Sequence, residues 1–110
     1  METEVKHETA RIIYNPGKYE MRAETWSYPD TPHQITFIHV AVFNFGPRVL
    51  REMKKDWATW RPLFRAPVFV RHVSDDTHMK FMAMFGYHYL GKDDGGFDLY
   101  VSYPDEPLKD

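Results

Sequence analysis

Histidine is the residue type in this sequence with the widest range of catalytic and metal-binding roles. The chain contains six histidines and no cysteine. Without cysteine, a disulfide framework, a thiolate zinc site and a cysteine nucleophile are all excluded. His33 and His39 lie on one predicted strand but too far apart along it to bind a single ion. His72 and His78 flank a loop, and neither pair has the His-x-x-x-His or His-x-His spacing typical of zinc sites. The sequence therefore predicts no metal site.

His39 lies in the middle of an apolar run that spans residues 34–43. Because histidine titrates near neutral pH, this residue type is suited to act as a general base in a catalytic site. The alternative is a core histidine that bonds a backbone carbonyl. The residues alone leave both roles for His39 open.

Strand and helix patterns alternate along the chain in an order that positions these histidines. Strands are predicted over residues 9–14, 19–26, 34–43, 67–73, 86–90 and 97–103. Helical spacing of apolar residues follows Gly46-Pro47 as far as Arg61, and a second helix follows the cap candidates at 74–76 and ends before Gly86. The third strand is apolar on both faces, as is typical of a central strand that is covered on both sides. The order β-β-β-α-β-α-β-β predicts an α/β fold in which a mixed, mostly antiparallel sheet of six or seven strands carries two helices.

The length of 110 residues predicts one domain, 1–110, with a frayed start at 1–8 and an acidic tail at 104–110. The longest apolar run is only 40–43, so no membrane-spanning segment is expected. The N-terminus has neither the basic nor the apolar region of a secretion signal, which favours a cytoplasmic location.

Charge is distributed unevenly along the chain. Residues 48–71 hold seven basic and two acidic side chains, whereas residues 93–110 hold six acidic and one basic. One interpretation is a solvated helix followed by an acidic tail. The other is a basic surface that attracts a phosphorylated ligand or an acidic partner. The net charge of −2 argues against a general nucleic-acid-binding protein.

The stretch 34–103 resembles the C-terminal two thirds of the GNAT family of N-acetyltransferases, in particular compact, phage-encoded members with a truncated front. Residues 74–87 are similar to that family's Asn-x-x-Ala…Tyr-x-x-x-Gly-Phe segment. Asp75 stands at the asparagine, His78 at the alanine and Gly86-Tyr87 at the Gly-Phe. The two front helices of full-length members are missing from residues 1–33, where only strands and loops are predicted.

The resemblance implies acetyl-CoA as cosubstrate, with its pyrophosphate on the amides of a helix start. The positions that match this site are Asn44, Gly46, Arg48, Val49 and Arg51. The family's turn, Arg/Gln-x-x-Gly-x-Gly/Ala, keeps only its last glycine, Gly46. The tyrosine that serves as general acid in the family is replaced by Met82. Tyr87 is the nearest substitute, although its place in the motif is typical of a core residue.

Two functions follow from these residues. The first is an acetyl-CoA-dependent N-acetyltransferase that acts on a protein or a small amine, with His39 as base. The alternative is a non-catalytic scaffold of the same fold that binds and modulates another protein through the basic surface 48–71 or the acidic C-terminus. That partner would be a host protein, met in the host cytoplasm, if the chain is phage-encoded. An exposed sheet edge is also compatible with a homodimer.

Overall fold

Six strands and two α-helices make up the described chain. The computed structural model describes residues 5–30 and 34–104. Its elements are β1 (Lys6–Asn15), β2 (Tyr19–Ser27), β3 (Gln34–Val42), α1 (Pro47–Trp60), a 3-10 turn (Arg61–Leu63), β4 (Val68–His72), α2 (Asp76–Met84), β5 (His88–Lys92) and β6 (Asp98–Ser102). The predicted α/β class, the element order and the two helices are confirmed. β1 begins at Lys6 rather than Thr9, and residues 1–4 and 105–110 lie outside the described ranges.

The strands form one sheet in the order β1-β2-β3-β4-β6-β5. All neighbours are antiparallel except β3 and β4, which run parallel because α1 crosses over between them. The parallel pairing is short. It joins Thr36 to Val68 and Phe37 to Phe69, and the register ends there. The two central strands therefore separate towards their carboxyl ends.

Both α-helices pack on the same face of this sheet. Side chains alternate between faces along a strand, so Met21, Ala23 and Ile38 share the face that α1 covers. α2 reaches that face through His78, whose ring contacts Tyr100 of β6. Trp57 of α1 stacks on Tyr87, just after α2, and one core cluster contains both helices.

The prediction that both faces of β3 are covered is wrong. Within the described ranges no helix lies on the second face, where His39 is exposed. Ile35 and Phe37 on that face are half-buried, and the Phe37 ring lies 6.0 Å from the ring of Phe69 on β4. The apolar residues on this face are therefore partly covered by neighbouring side chains of the sheet, and not by a second layer of helices.

The first helix follows from local sequence rules. Pro47 occupies the first turn, where its missing N–H costs nothing. Val49, Met53 and Trp57 recur every four residues and are all buried against the sheet. The helix ends at Trp60, shortly before Pro62, whose ring is incompatible with continued helix.

The second helix is capped at both ends as predicted. The Asp75 carboxylate accepts a 2.8 Å hydrogen bond from the backbone amide of His78. At the other end Gly86 adopts a φ of 80°, and the amide of Tyr87 reaches back to the carbonyl of Met82. These two caps fix the position of α2 relative to β4 and β5.

No helix in the described ranges is long and apolar enough to cross a membrane.

Candidate ligand-binding cleft

A cavity of about 470 Å³ opens where β3 and β4 separate. Its floor is apolar and comes from the sheet and both helices. The buried residues that form it include Met21, Ile38, Met53, Trp57, Met82 and Phe85. Three methionines in this floor supply flexible, polarisable side chains that adapt to a ligand's shape. The cleft is therefore suited to an apolar group.

The separation of the strands also leaves part of their facing backbone edges without a partner strand. Beyond the Phe37–Phe69 pair, the edges of β3 and β4 face each other across the cleft without pairing. Backbone amides and carbonyls in such a position need partners from water or from a ligand. An elongated ligand that carries its own amide groups can bond along these edges, as an added strand does.

The amino-terminal end of α1 lies at the mouth of the cleft. Phe45, just before the helix, lines the cavity and lies 6.2 Å from Phe81 of α2, measured between ring centroids. The first turn of α1 contains no acidic residue, and Gly46 at its cap has no side chain to bond the free amides. Arg48 and Arg51 are exposed. Such a helix start favours a bound anion.

The residues expected at a pyrophosphate site are brought together there, but their contributions differ. The Asn44 amide donates to the carbonyl of Lys18 at 3.2 Å, so this amide is already occupied. The first intrahelical bond runs from Leu50 to the Gly46 carbonyl, which leaves the preceding amide of Val49 without a helical acceptor. The Val49 side chain is buried, so this residue can offer a ligand only its backbone.

His39 is neither a core histidine nor bonded to a carbonyl. It is one of the residues around the cleft, but alternation places its side chain on the face opposite Ile38. Its Nε2 lies 3.2 Å from the Glu24 carboxylate, which also bonds His7 at 2.8 Å. Burial opposes ionisation of Glu24, yet these two histidines hold its pKa below the usual value. His39 is thus part of a hydrogen-bonded cluster with Glu24 and His7 on the sheet face that no described helix covers.

Tyr87 lies under the cleft, among the residues of its floor. It is buried and stacks on Trp57, with ring centroids 6.2 Å apart and an angle of 13° between the planes. Burial raises the pKa of the Tyr87 phenol, while nearby Arg61 acts in the opposite direction. The phenol therefore keeps its proton at neutral pH, and its position matches the core role that its place in the motif suggests.

The cleft contains a hydrogen-bonded histidine that sequence reasoning did not connect with catalysis. His78, on the first turn of α2, lines the cavity together with His72 of β4. The Ser74 hydroxyl lies 2.9 Å from His78 Nδ1, and the Tyr100 hydroxyl donates to Ser74 Oγ at 2.8 Å. The only sequence signal was the four-residue spacing of Ser74 and His78 across a helix start.

The basic stretch is less uniform in the structure than in the sequence. Arg61 is buried, and Arg71 pairs with Asp93 and lies over the Phe97 ring. Arg48 and Arg51 remain exposed in the first two turns of α1. Positive charge is therefore available at the helix start, whereas most of the predicted acidic tail falls outside the described residues.

In the described ranges no group of three or more histidine and acidic side chains is arranged to hold a metal ion.

No family model matches the chain, and searches of curated proteins and of solved structures find no match.

The carboxylate of Asp98, on β6, accepts three hydrogen bonds, and its ionisation makes the stability of the fold depend on pH. It accepts hydrogen bonds from the Ser74 amide at 3.0 Å, the Tyr89 hydroxyl at 2.9 Å and Lys92 Nζ at 3.2 Å. These bonds, that of the Ser74 amide first, hold the pKa of Asp98 below its usual value. The ionised carboxylate therefore stabilises the fold fully above the unfolded pKa, near 4, and this stabilisation is lost as pH falls through the folded pKa.

We expect Asp98→Asn to lower the urea midpoint at pH 7, because an amide cannot serve all three donors. At pH 3, below the unfolded pKa near 4, the difference in urea midpoint between Asp98→Asn and the wild type should be smaller, since the stabilisation by the charge is then being lost. Asp94→Asn, at an exposed acid in the neighbouring turn, serves as the control and should move neither midpoint. An equal gap at both pH values would contradict the assigned role of the charge.

Proposed function

We propose that the chain binds an acyl-coenzyme A, acetyl-CoA in the simplest case, in the cleft between β3 and β4 and transfers the acyl group to an amine. The observation that carries the proposal is the separation of the two parallel strands over an apolar floor, with the start of α1 at the mouth. The resemblance of 34–103 to the GNAT family points to the same ligand.

The parts of coenzyme A fit the parts of the cleft. The pantetheine arm is elongated and carries two amides, which suit the unpaired edges of β3 and β4. Its acyl end would lie over the methionine-rich floor. The pyrophosphate would lie at the start of α1, beside Gly46, Arg48 and the Val49 amide, with Arg51 one turn further along. The Asn44 amide already donates to the carbonyl of Lys18. This anion site therefore depends more on the arginines and on the start of α1 than on the turn that precedes it.

Gly46→Glu tests the anion site without disturbing the fold. Gly46 has an extended φ of 178°, and a Cβ added there meets no atom within 4 Å. A carboxylate at a helix start even favours the helix. It would repel pyrophosphate, because like charges 4 Å apart at an effective dielectric constant of 20 interact by about 4 kcal/mol.

We therefore expect isothermal titration to show micromolar binding of acetyl-CoA to the wild type. Desulfo-CoA should bind similarly and ATP more weakly. Gly46→Glu should weaken acetyl-CoA at least about tenfold, by the repulsion just described. Ala58→Glu makes the same charge change on an exposed position of α1 remote from its start, and should bind like the wild type. Absence of binding at millimolar acetyl-CoA would refute the proposal.

A second candidate function rests on a different observation. One face of the sheet has no described helix on it, and Phe43 and Phe45 are 60% and 59% exposed beside the basic helix start. Exposed aromatic side chains next to arginines are typical of protein-binding surfaces. A non-catalytic scaffold should bind a protein partner and be indifferent to acetyl-CoA. An affinity pull-down in which Phe43→Ser loses a partner that the wild type retains would favour it.

A further inference from the structure

The ring of His78 contacts side chains of two strands as well as of its own helix. Its ring stacks on His72 with centroids 4.2 Å apart and an interplanar angle of 14°, and lies 6.1 Å from the Tyr100 ring. Phe81, one turn later, closes the side towards the α1 start, 6.3 Å from His78. The ring is thus enclosed by β4, β6 and α2 while it still borders the cavity.

The hydrogen bonds around His78 assign different roles to its two ring nitrogens. Nδ1 is engaged by the Ser74 hydroxyl, which in turn accepts from the Tyr100 hydroxyl. Since Nδ1 faces this network, Nε2 is the nitrogen that can meet a ligand in the cleft. A hydroxyl can both donate and accept, so Ser74 can bond Nδ1 when His78 is neutral and when it is protonated. The network therefore supports His78 on both sides of a proton transfer.

The surroundings of His78 favour its neutral form, chiefly because the ring is partly buried. Burial, followed by the neighbouring His72, holds the pKa of His78 below the ordinary value of histidine. Asp75 at the helix cap and Asp98 on β6 act in the opposite direction without reversing the shift. A histidine that is neutral at pH 7 is ready to accept a proton.

We propose that His78 is the catalytic base of the cleft, that Ser74 and Tyr100 are its positioning residues, and that the acceptor is a primary amine. This inference rests on the proposed acyltransferase function. The amine nitrogen forms a bond to the thioester carbon, the carbon–sulfur bond breaks, and coenzyme A leaves as the thiolate. His78 Nε2 takes the proton lost by the nitrogen, and the imidazolium then returns it to the thiolate or to water.

This assignment replaces the role expected of His39. His39 lies on the opposite sheet face, bonded to Glu24, whereas His78 shares the helix-covered face with the apolar floor. His39→Gln is therefore a matched control for His78→Gln, since both remove one histidine near the same cavity.

The role of His78 is tested by measuring coenzyme A thiol release from acetyl-CoA between pH 5.5 and 9, with a panel of primary amines and with water alone as acceptor. For the wild type we expect the rate to fall as pH drops through the pKa of His78. His78→Gln should lose at least about a hundredfold in rate together with this pH limb, and Ser74→Ala about tenfold in kcat at unchanged KM. His39→Gln should match the wild type. Titration calorimetry should give all three variants acetyl-CoA affinities within about twofold of the wild type.

A readout independent of turnover is the NMR signal of the His78 ring, identified by its absence in His78→Gln. Acetyl-CoA should shift this signal and leave that of His88, on β5, unchanged. If the wild type binds acetyl-CoA and releases thiol but His78→Gln keeps the wild-type rate and pH profile, the role of His78 is refuted and the proposed function stands. If the wild type binds acetyl-CoA without any thiol release, or does not bind it, acyl transfer fails and this role fails with it.

Discussion

Replacing Trp57 with alanine is expected to lower the free energy of unfolding by about 3–5 kcal/mol, the usual cost of truncating a large buried aromatic side chain. Trp57 is 1% exposed at the centre of the α1 stripe. Its ring lies 6.1 Å from the ring of Phe64 and 6.2 Å from that of Tyr87. Trp57 therefore connects α1 to the segment before β4 and to the segment that follows α2. A small domain has only about 5–15 kcal/mol in total, so the variant should melt about 15 °C lower.

Trp57→Phe separates ring volume from the polar atom of the indole. Trp57 Nε1 is buried and has no hydrogen-bond partner among the described residues. A buried N–H without a partner costs free energy, so its removal offsets part of the lost packing. We expect Trp57→Phe to cost roughly half as much as Trp57→Ala. Urea unfolding followed by circular dichroism measures both, and a cost below about 1 kcal/mol for Trp57→Ala would contradict the packing described here.

The features that the sequence predicted well are those set by residues close together in the chain. The Asp75 cap, the Gly86 helix end and the four-residue stripe through Trp57 each involve a few consecutive turns. Local steric and hydrogen-bonding rules determine such features wherever they occur. The element order followed from them, and with it the α/β class.

The features that the sequence did not predict depend on distant segments. The apolar residues of β3 did not reveal which face the helices would cover, because alternation gives two faces but no choice between them. Nor did they show that β3 and β4 would separate after Phe37 and Phe69. The ring of His78, on α2, contacts the rings of His72 on β4 and Tyr100 on β6, two strands that are distant from each other in the sequence. Its hydrogen bonds and its place at the border of the cleft depend on these strands being adjacent in the fold.

The charge pattern of the sequence likewise did not predict the position of Arg61. In the sequence it is one of seven basic residues in 48–71, and a solvated position was the natural expectation. In the structure it is 5% exposed, and its Nε donates a 2.6 Å hydrogen bond to the Ser102 hydroxyl on β6. A second donor, Nη1, lies 3.4 Å from the Pro104 carbonyl. The guanidinium therefore connects the end of α1 to β6 instead of extending the basic surface.

Arg61→Ala is accordingly expected to cost about 2–4 kcal/mol of unfolding free energy, through lost packing of the arginine stem and a buried Ser102 hydroxyl left without its donor. Arg65→Ala, four residues on and exposed, should change stability by no more than about 0.5 kcal/mol. If the two variants were equally stable, the buried bridge to β6 would be refuted.

A double-mutant cycle with Ser102→Ala isolates the bond between the two side chains. Ser102 is 1% exposed, so its loss should cost about 1–3 kcal/mol on its own, because the guanidinium then loses a buried acceptor. The double variant should be less destabilised than the sum of the singles by about 1–3 kcal/mol, the coupling expected of a charged hydrogen bond in the interior. Strict additivity would mean that Arg61 stabilises the domain by packing alone. A positive coupling would show that a cation counted in the sequence among the surface charges holds the end of α1 against β6.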